Sequence, residues 1–463
     1  MSTEDTANRK PALIVTTLGA FIIPFMGSSI NIALPSIGRE FDMDALMLSW
    51  VTTSYLLTAA MFLVPFGRIS DLYGRKRIFL YGVLVYTLAS FLAVLSTSPL
   101  LLIASRLFQG IGASMTFSTG MAILTSVYPI GEKGKVLGIN VAAVYTGLSC
   151  GPFLGGLLIH YLGWRSIFLI NIPAGLIILF YTFYKLKGEW AEAKGENFNY
   201  PGSLFYSLAL LMVMVGLFQL PKPFGLLLIL IGLLGMGLFV KWEMTSKNPI
   251  FQLTLFRNNR IFAFSNLAAL IHYSATFAVS FLLSLYLQLI KGLQPHEAGL
   301  ILVSAPVMQA ILSPFAGKLS DRIDPRKVAS GGMAMTGLGL FSFIFLNEKT
   351  PLPWIIALLI LLGVGFALFS SPNTNAVMGS IDKKFYGVAS GVLSTMRSIG
   401  MTFSMGVVMV SFSISMGRTQ ITPALYPLFL KSVKGTFMLF TLLCLLAILA
   451  SLARGPSRSS SPT

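Results

Sequence analysis

Gly67-Arg68-Ile69-Ser70-Asp71-Leu72-Tyr73-Gly74-Arg75-Lys76-Arg77 closes one long apolar run and opens the next. Its first five residues recur in type and order as Gly317-Lys318-Leu319-Ser320-Asp321, again at the end of an apolar run and ahead of a basic pair, Arg326-Lys327. Asp71 and Asp321 stand 250 residues apart. One bilayer crossing takes about 20 apolar residues, and eight such runs lie between the two copies. An even number returns the chain to the same side of a membrane, so both loops share a topological place. The pattern predicts an all-α polytopic membrane protein made of two parallel halves of six helices, with a pair of helices inserted between them.

The rest of the chain extends that reading. Of 463 residues, 55% are hydrophobic and 11% charged, against about 25% charged in soluble domains. Hydropathy gives about fourteen spans, at 12–34, 46–67, 78–97, 99–126, 136–159, 166–185, 202–220, 224–242, 261–289, 297–317, 328–346, 353–377, 386–412 and 434–453. The implied organisation is a tail (1–11), an N-terminal six-helix bundle (12–185), a linker with two extra helices (186–260), a C-terminal six-helix bundle (261–453) and a second tail (454–463). The net charge of +17 sits in short loops, not in a soluble segment with interleaved aromatics, which argues against nucleic acid. With the N-terminus inside, 23 of the loop and tail cations fall on the cytoplasmic side and 8 on the outer side, as the positive-inside rule requires. Both termini are then cytoplasmic. Cys150 and Cys444 lie in apolar runs and give no disulfide framework. The first run, Ala12 to Leu34, reads as a spanning helix and not a signal peptide.

Gly67 to Arg77 resembles the signature loop of the major facilitator superfamily. Arg106-Leu107-Phe108-Gln109-Gly110-Ile111-Gly112-Ala113 is similar to that superfamily's arginine motif, and Gly147-Leu148-Ser149-Cys150-Gly151-Pro152-Phe153-Leu154-Gly155-Gly156 to the antiporter motif of its exporters. Asn31-Ile32-Ala33-Leu34-Pro35, Trp50 to Leu57 and Trp164 to Pro173 look like segments of the fourteen-helix drug:proton antiporters. The resemblance covers nearly the whole chain. It implies the major facilitator fold with 14 helices, alternating access and proton coupling. It also implies that Asp71, with Gly67 and Arg75, forms a latch holding one access state, with Asp321 and Gly317 doing the same in the second half. One position departs from the group: Met26 stands where these antiporters usually carry an Asp.

Arg106 lies about seven residues into the fourth span. An intramembrane charge costs roughly 2.5–3.5 kcal/mol on insertion scales, so it needs a wet cavity or a partner. It reads either as a cavity charge acting on substrate or proton, or as a buried cation bonded to backbone carbonyls or Gln109. Arg397, in the thirteenth span, poses the same choice. All sixteen acidic residues map to loops, tails or helix ends. The mid-helix group that titrates near neutrality unaided is His272, so it is the leading proton carrier, with a structural role as the alternative. Gly147, Gly151 and Gly155 recur at the four-residue spacing that lets helices approach closely, and Pro152 removes a backbone hydrogen bond. With Gly156 they read as a tight seam between the halves. Pro24, Pro306, Pro314 and Pro372 are further sites for bends. Asn31, Tyr55, Gln109, Asn266, Gln309, Asn373 and Asn375 are candidate cavity residues, the last two better read as a helix-end feature.

No Gly-x-x-x-x-Gly-Lys-Ser/Thr loop exists for direct ATP use, and no His-Glu-x-x-His or paired Cys-x-x-Cys for a metal. The sequence therefore points to a non-enzymatic, cofactor-free, monomeric secondary transporter of the plasma membrane. It would drive efflux of small lipophilic or amphipathic compounds with protons. A uniporter or an exporter of anionic or lipid-like substrates is the alternative within the class, and a membrane sensor or scaffold on a transporter fold the alternative outside it.

Overall fold

A computed structural model describes residues 3–246, 248–251, 253–381, 386–417 and 419–455. Lys247, Lys383, Lys384, Arg418 and Arg458, and the side chains of Lys133, Lys135 and Asp321, lie outside the described residues. The described chain is helical throughout: α1 Thr3–Glu40, α2 Ala45–Tyr73, α3 Arg75–Val94, α4 Pro99–Val127, α5 Ile130–Leu162, α6 Ser166–Leu169, α7 Asn171–Lys185, α8 Tyr200–Gln219, α9 Pro223–Thr245, α10 Thr254–Asn258, α11 Arg260–Thr276, α12 Val279–Leu285, α13 Pro295–Leu302, α14 Ser304–Arg322, α15 Pro325–Phe343, α16 Leu352–Gly379, α17 Tyr386–Ser415 and α18 Tyr426–Ala453.

Among the described residues, thirteen helices are long and apolar enough to cross a membrane. The predicted eleventh span is present as α15, nineteen residues long, with Arg326 and Lys327 in its first turn and four glycines lowering its hydropathy. Three predicted spans are interrupted. The sixth is α6 and α7. The ninth is α11 and α12, broken at Phe277–Ala278, where Ser404 Oγ accepts the Ala278 N–H at 3.0 Å. The tenth is α13 and α14, broken at Val303, three residues before Pro306; proline removes a helical donor and crowds the turn before it. Pro24 and Pro372 instead sit inside continuous helices.

The chain forms two compact units, residues 1–43, 50–213 and 228–251 in the first and 44–49, 214–227 and 252–463 in the second. In the first, α1 packs on α5, α3 on α4 and on α7, around a core that includes Val15, Phe79, Val83, Ile123, Leu124 and Ile178. In the second, α11 packs on α17, and α15 on α16 and on α18.

Glycine contacts show that these are two copies of one arrangement. A Cβ built on Gly82 of α3 would lie 2.9 Å from the Gly112 oxygen of α4, and one on Gly332 of α15 would lie 2.7 Å from the Gly365 oxygen of α16. Gly110 abuts the Tyr55 carbonyl as Gly363 abuts that of Ala305, and Gly147 abuts Phe21 as Gly400 abuts Leu270. Gly82 and Gly332 keep the 250-residue offset of Asp71 and Asp321, and so do the helix starts Arg75 and Pro325. Backbones approach this closely only where no side chain intervenes, which is how membrane helices gain packing without a hydrophobic driving force.

Candidate functional site

The repeated loop is held by a buried arginine. Arg75 opens α3 and its side chain is only 7% exposed. Its Nε and Nη2 donate to Asp71 Oδ1 at 2.9 and 2.7 Å. Its Nη1 donates to Ser126 Oγ at 2.6 Å and to Glu192 Oε1 at 2.7 Å. One guanidinium thus joins the end of α2, the end of α4 and the segment after α7. That segment is fixed to the same loop through its backbone, with Arg75 N donating to the Trp190 carbonyl and Ala193 N to the Asp71 carbonyl. Arg68 pairs with Glu196 at 2.5 Å. Gly74 is the N-cap of α3 with φ +116°, and a Cβ there would fall within 2.6 Å of Glu189 Cγ. A glycine suits both the left-handed backbone and the crowding. Glu189 then supplies the cap that Gly74 lacks, accepting from Lys76 N at 2.7 Å and Arg77 N at 3.1 Å.

The sequence pairs Asp71 with Arg75, and the structure brings them together. Glu189, Glu192 and Glu196 were not singled out, although three glutamates within eight residues beside three basic loops were the available signal. Gly67 leaves ordinary room, its nearest neighbour being Ser118 at 3.8 Å. In the second copy Ser320 Oγ donates to the Gly317 carbonyl at 2.7 Å, matching Ser70 and Gly67. There Asp324 caps α15 locally, accepting from Arg326 N at 2.9 Å.

Arg106 is fully buried in unit one. Nε donates to the Val51 carbonyl at 3.0 Å and Nη1 to Gln109 Oε1 at 2.6 Å, and the guanidinium lies 4.4 Å from the Tyr55 ring centre. Gln109 Nε2 passes the chain on to Ser90 Oγ at 2.8 Å. Three predicted site residues therefore form one cluster, held on α2, α3 and α4. These partners are neutral, and Nη2 has no hydrogen-bond partner among the described residues. Asn31 is buried in α1.

His272 and Arg397 belong to unit two. The imidazole packs 4.0 Å from the Phe369 ring and 5.6 Å from Phe366, and its buried Nδ1 has no hydrogen-bond partner among the described residues. Arg397 Nη2 donates to Thr374 Oγ1 at 2.8 Å, with the guanidinium 5.6 Å from the Tyr273 ring centre. Thr374 and its neighbours lie in the last two turns of α16, which ends at Gly379. Asn373 donates to the Ser265 carbonyl at 3.1 Å and accepts from Arg454 at 3.2 Å, while Asn375 donates to Ser320 at 2.9 Å. Arg454, read from sequence as part of a tail, is 2% exposed. Burial lowers its pKa to about 10, with Asp324 partly opposing the shift, so it stays charged at neutral pH. Asn266 donates to Phe262 O of its own helix at 2.9 Å, and Gln309 is half-buried in α14.

The glycine run of α5 meets α1 of the same unit. A Cβ on Gly151 would lie inside Ser28 Oγ and 2.7 Å from the Phe25 oxygen, and one on Gly155 would meet Ser29. Ser29 Oγ donates across to the Gly151 carbonyl at 2.9 Å. For these three positions the reading of a seam between the halves is corrected: small side chains on α1, Ser28 and Ser29, complete the contact within one half. Pro152 lies within continuous α5 and Gly156 is buried.

Comparisons with known proteins agree with this architecture. The chain is 31% identical over 402 residues to the riboflavin transporter RibZ of Clostridioides difficile, covering 86% of this chain and 87% of that protein. It is 34% identical over 401 residues to the multidrug resistance protein Stp of Mycobacterium tuberculosis, covering 85% and 74%. The crystal structure of the nucleoside transporter NupG superposes with a TM-score of 0.64 at 13% identity, over 96% of this chain and 99% of that one, which shows a shared fold. A family model described as Major Facilitator Superfamily matches residues 16–256 and 265–463, so it runs through both loops and both sets of glycine contacts, and the chain belongs to that superfamily of multi-pass membrane transporters of small molecules.

Proposed function

We propose that this transporter drives efflux of small lipophilic or amphipathic compounds across the plasma membrane by alternating access, with both termini cytoplasmic and the chain acting as a monomer. The observation that carries the direction of transport is the α5 run Gly147 to Gly156, whose sequence resembles the exporters' motif and whose glycines close onto α1. The name of Stp supports a multidrug range. In this reading two six-helix bundles, 12–185 and 261–453, rock about a midplane cavity with the inserted pair outside them, and Asp71 with Arg75 is the latch of the first, as Asp321 is of the second.

Protons are the energy source in this reading, and His272 is their carrier because Met26 replaces the usual carboxylate. Its packing against Phe369 supports the structural alternative equally. Flux of a fluorescent amphipathic cation from proteoliposomes, with and without an imposed pH gradient, tests both statements. Gradient-driven flux is expected in the wild type and about ten-fold less in His272→Gln. Full gradient-driven flux in the variant makes His272 structural. No dependence on the gradient in the wild type removes proton coupling altogether.

A second reading has its own support. Arg106 is buried among neutral partners, its Nη2 without a hydrogen-bond partner among the described residues, and Arg397 bonds to a threonine. Two intramembrane cations without carboxylates suit export of an anionic or lipid-like substrate without protons. Counterflow of an organic anion abolished by Arg106→Gln would favour it.

A further inference from the structure

Between α3 and α7 the first unit carries a groove of about 770 Å³. Its two ends differ in chemistry. At the end nearest the repeated loop stand Lys76 and Arg77; beyond them come Leu80, Leu84, Leu176 and Phe180. Leu84, Leu176 and Phe180 are exposed. From residue 76 to 84 a helix rises about 12 Å, so the apolar floor runs two turns into the membrane from the basic mouth.

The cations at the mouth are available to a ligand. Among the described residues neither Lys76 nor Arg77 forms an ion pair through its side chain. Glu189 lines the same mouth, but its two carboxylate oxygens already accept the backbone N–H groups of these very residues. We propose that the groove binds one anionic glycerophospholipid, with its phosphate at Lys76 and Arg77 and an acyl chain along Leu80, Leu84, Leu176 and Phe180. A zwitterionic lipid gains the floor but has no net charge to offer the cations. Inorganic phosphate gains the cations but leaves the floor bare. An anionic lipid uses both ends, and basic pockets between spanning helices are where such headgroups bind. In the orientation proposed above, the mouth faces the cytoplasmic leaflet, where anionic lipids concentrate.

The site adjoins the latch. Arg75 precedes Lys76, and Gly188 and Glu189, which also line the groove, belong to the segment that carries Glu192 to Arg75. A lipid seated there braces that segment against α3, whatever the substrate or direction of transport.

Native mass spectrometry of the purified full chain tests this with phosphatidylglycerol and phosphatidylcholine of matched acyl chains. One phosphatidylglycerol is expected to be retained, with affinity about ten-fold above that for phosphatidylcholine. K76Q/R77Q should weaken it by roughly ten-fold or more. K76R/R77K should keep it, and so should K222Q/K241Q, which removes the same charge elsewhere. Leu84→Trp, which fills the floor, should weaken retention with the cations intact, and inorganic phosphate should not displace the lipid at millimolar concentration. Equal retention of the two lipids, or unchanged phosphatidylglycerol in folded K76Q/R77Q, overturns the proposal. Were that variant not to fold, unchanged retention in Leu84→Trp overturns it alone.

Discussion

In both copies of the repeated loop a serine hydroxyl turns back to the glycine three residues earlier, Ser70 to Gly67 and Ser320 to Gly317, at 2.7 Å in each. Both copies lead into a helix that crosses its neighbour at a pair of glycines. What surrounds them differs. In the first, Arg75 is gripped by Asp71, Ser126 and Glu192, and the cap of α3 comes from Glu189, more than a hundred residues away in the chain. In the second, Asp324 caps α15 from next door, and the Arg326–Asp324 pair is local at 3.6 Å. The buried arginine on that side is Arg454, bonded to Ser265 and Asn373. A duplicated peptide has kept its local geometry while its long-range support has diverged. Among the described residues the first loop is tied to the linker, whereas the second has its helix capped by its own turn and is reached from α16 by Asn375, which donates to Ser320 at 2.9 Å.

The shared part should be the most sensitive to change. Gly82→Leu and Gly332→Leu each push a branched side chain into a crossing backbone less than 3 Å away. Each should destabilise its unit by about 3 kcal/mol, seen as loss of the monodisperse peak in detergent and of transport. Tolerance of one but not the other would break the equivalence of the two crossings.

The divergent part should separate the copies. Arg75→Gln leaves Asp71 without its partner and unties Glu192. Because Asp71 and Glu192 are 33% and 68% exposed, water recovers part of the loss, and about 2 kcal/mol is expected. Arg326→Gln should cost about 0.5 kcal/mol or less. Thermal unfolding of the two variants side by side measures the gap. Asp71→Asn keeps shape and loses charge, so it should insert normally while transport falls about ten-fold. Wild-type flux in that variant would reduce the pair to a static cap.

The smallest effect concerns the caps. Glu189→Gln weakens a charged acceptor at the start of α3 and should cost about 0.5 kcal/mol. Asp324→Asn exchanges one good cap for another and should be near neutral. Hydrogen exchange at Lys76 and Arg77, compared with Arg326, reads both. Equal acceleration at the two sites would show that the remote cap is no stronger a dependence than the local one.

Much of this architecture was legible beforehand because the bilayer imposes length and polarity on every span. The offset of Asp71 and Asp321 already carried the two halves; Gly82 and Gly332 keep it, and the later glycine pairs, such as Gly112 and Gly365, shift it by three residues. The Arg106–Gln109 bond was readable from a three-residue helical spacing. Glu189, Glu192 and Arg454 were not, because a loop or chain end has no periodicity to say which helix it folds against. The α5 glycines announced close packing without naming α1, since spacing defines a face and not its partner. His272 was visible as a titratable group, but the Phe369 ring against it comes from a helix almost a hundred residues on.

Helix α15 has a consequence for how the protein is made. It carries Arg326, Lys327 and four glycines and is less apolar than its thirteen fellows. On insertion scales, arginine and lysine weigh heavily against partition and glycine adds little in favour. The next helix, α16, has a mean hydropathy of 2.6 and meets α15 at Gly332 and Gly365. During synthesis α15 therefore gains less than its neighbour by leaving the translocon alone, and the two helices are expected to enter lipid as a hairpin. The glycine crossing that packs them in the finished protein is then also the contact that carries the weaker one into the bilayer.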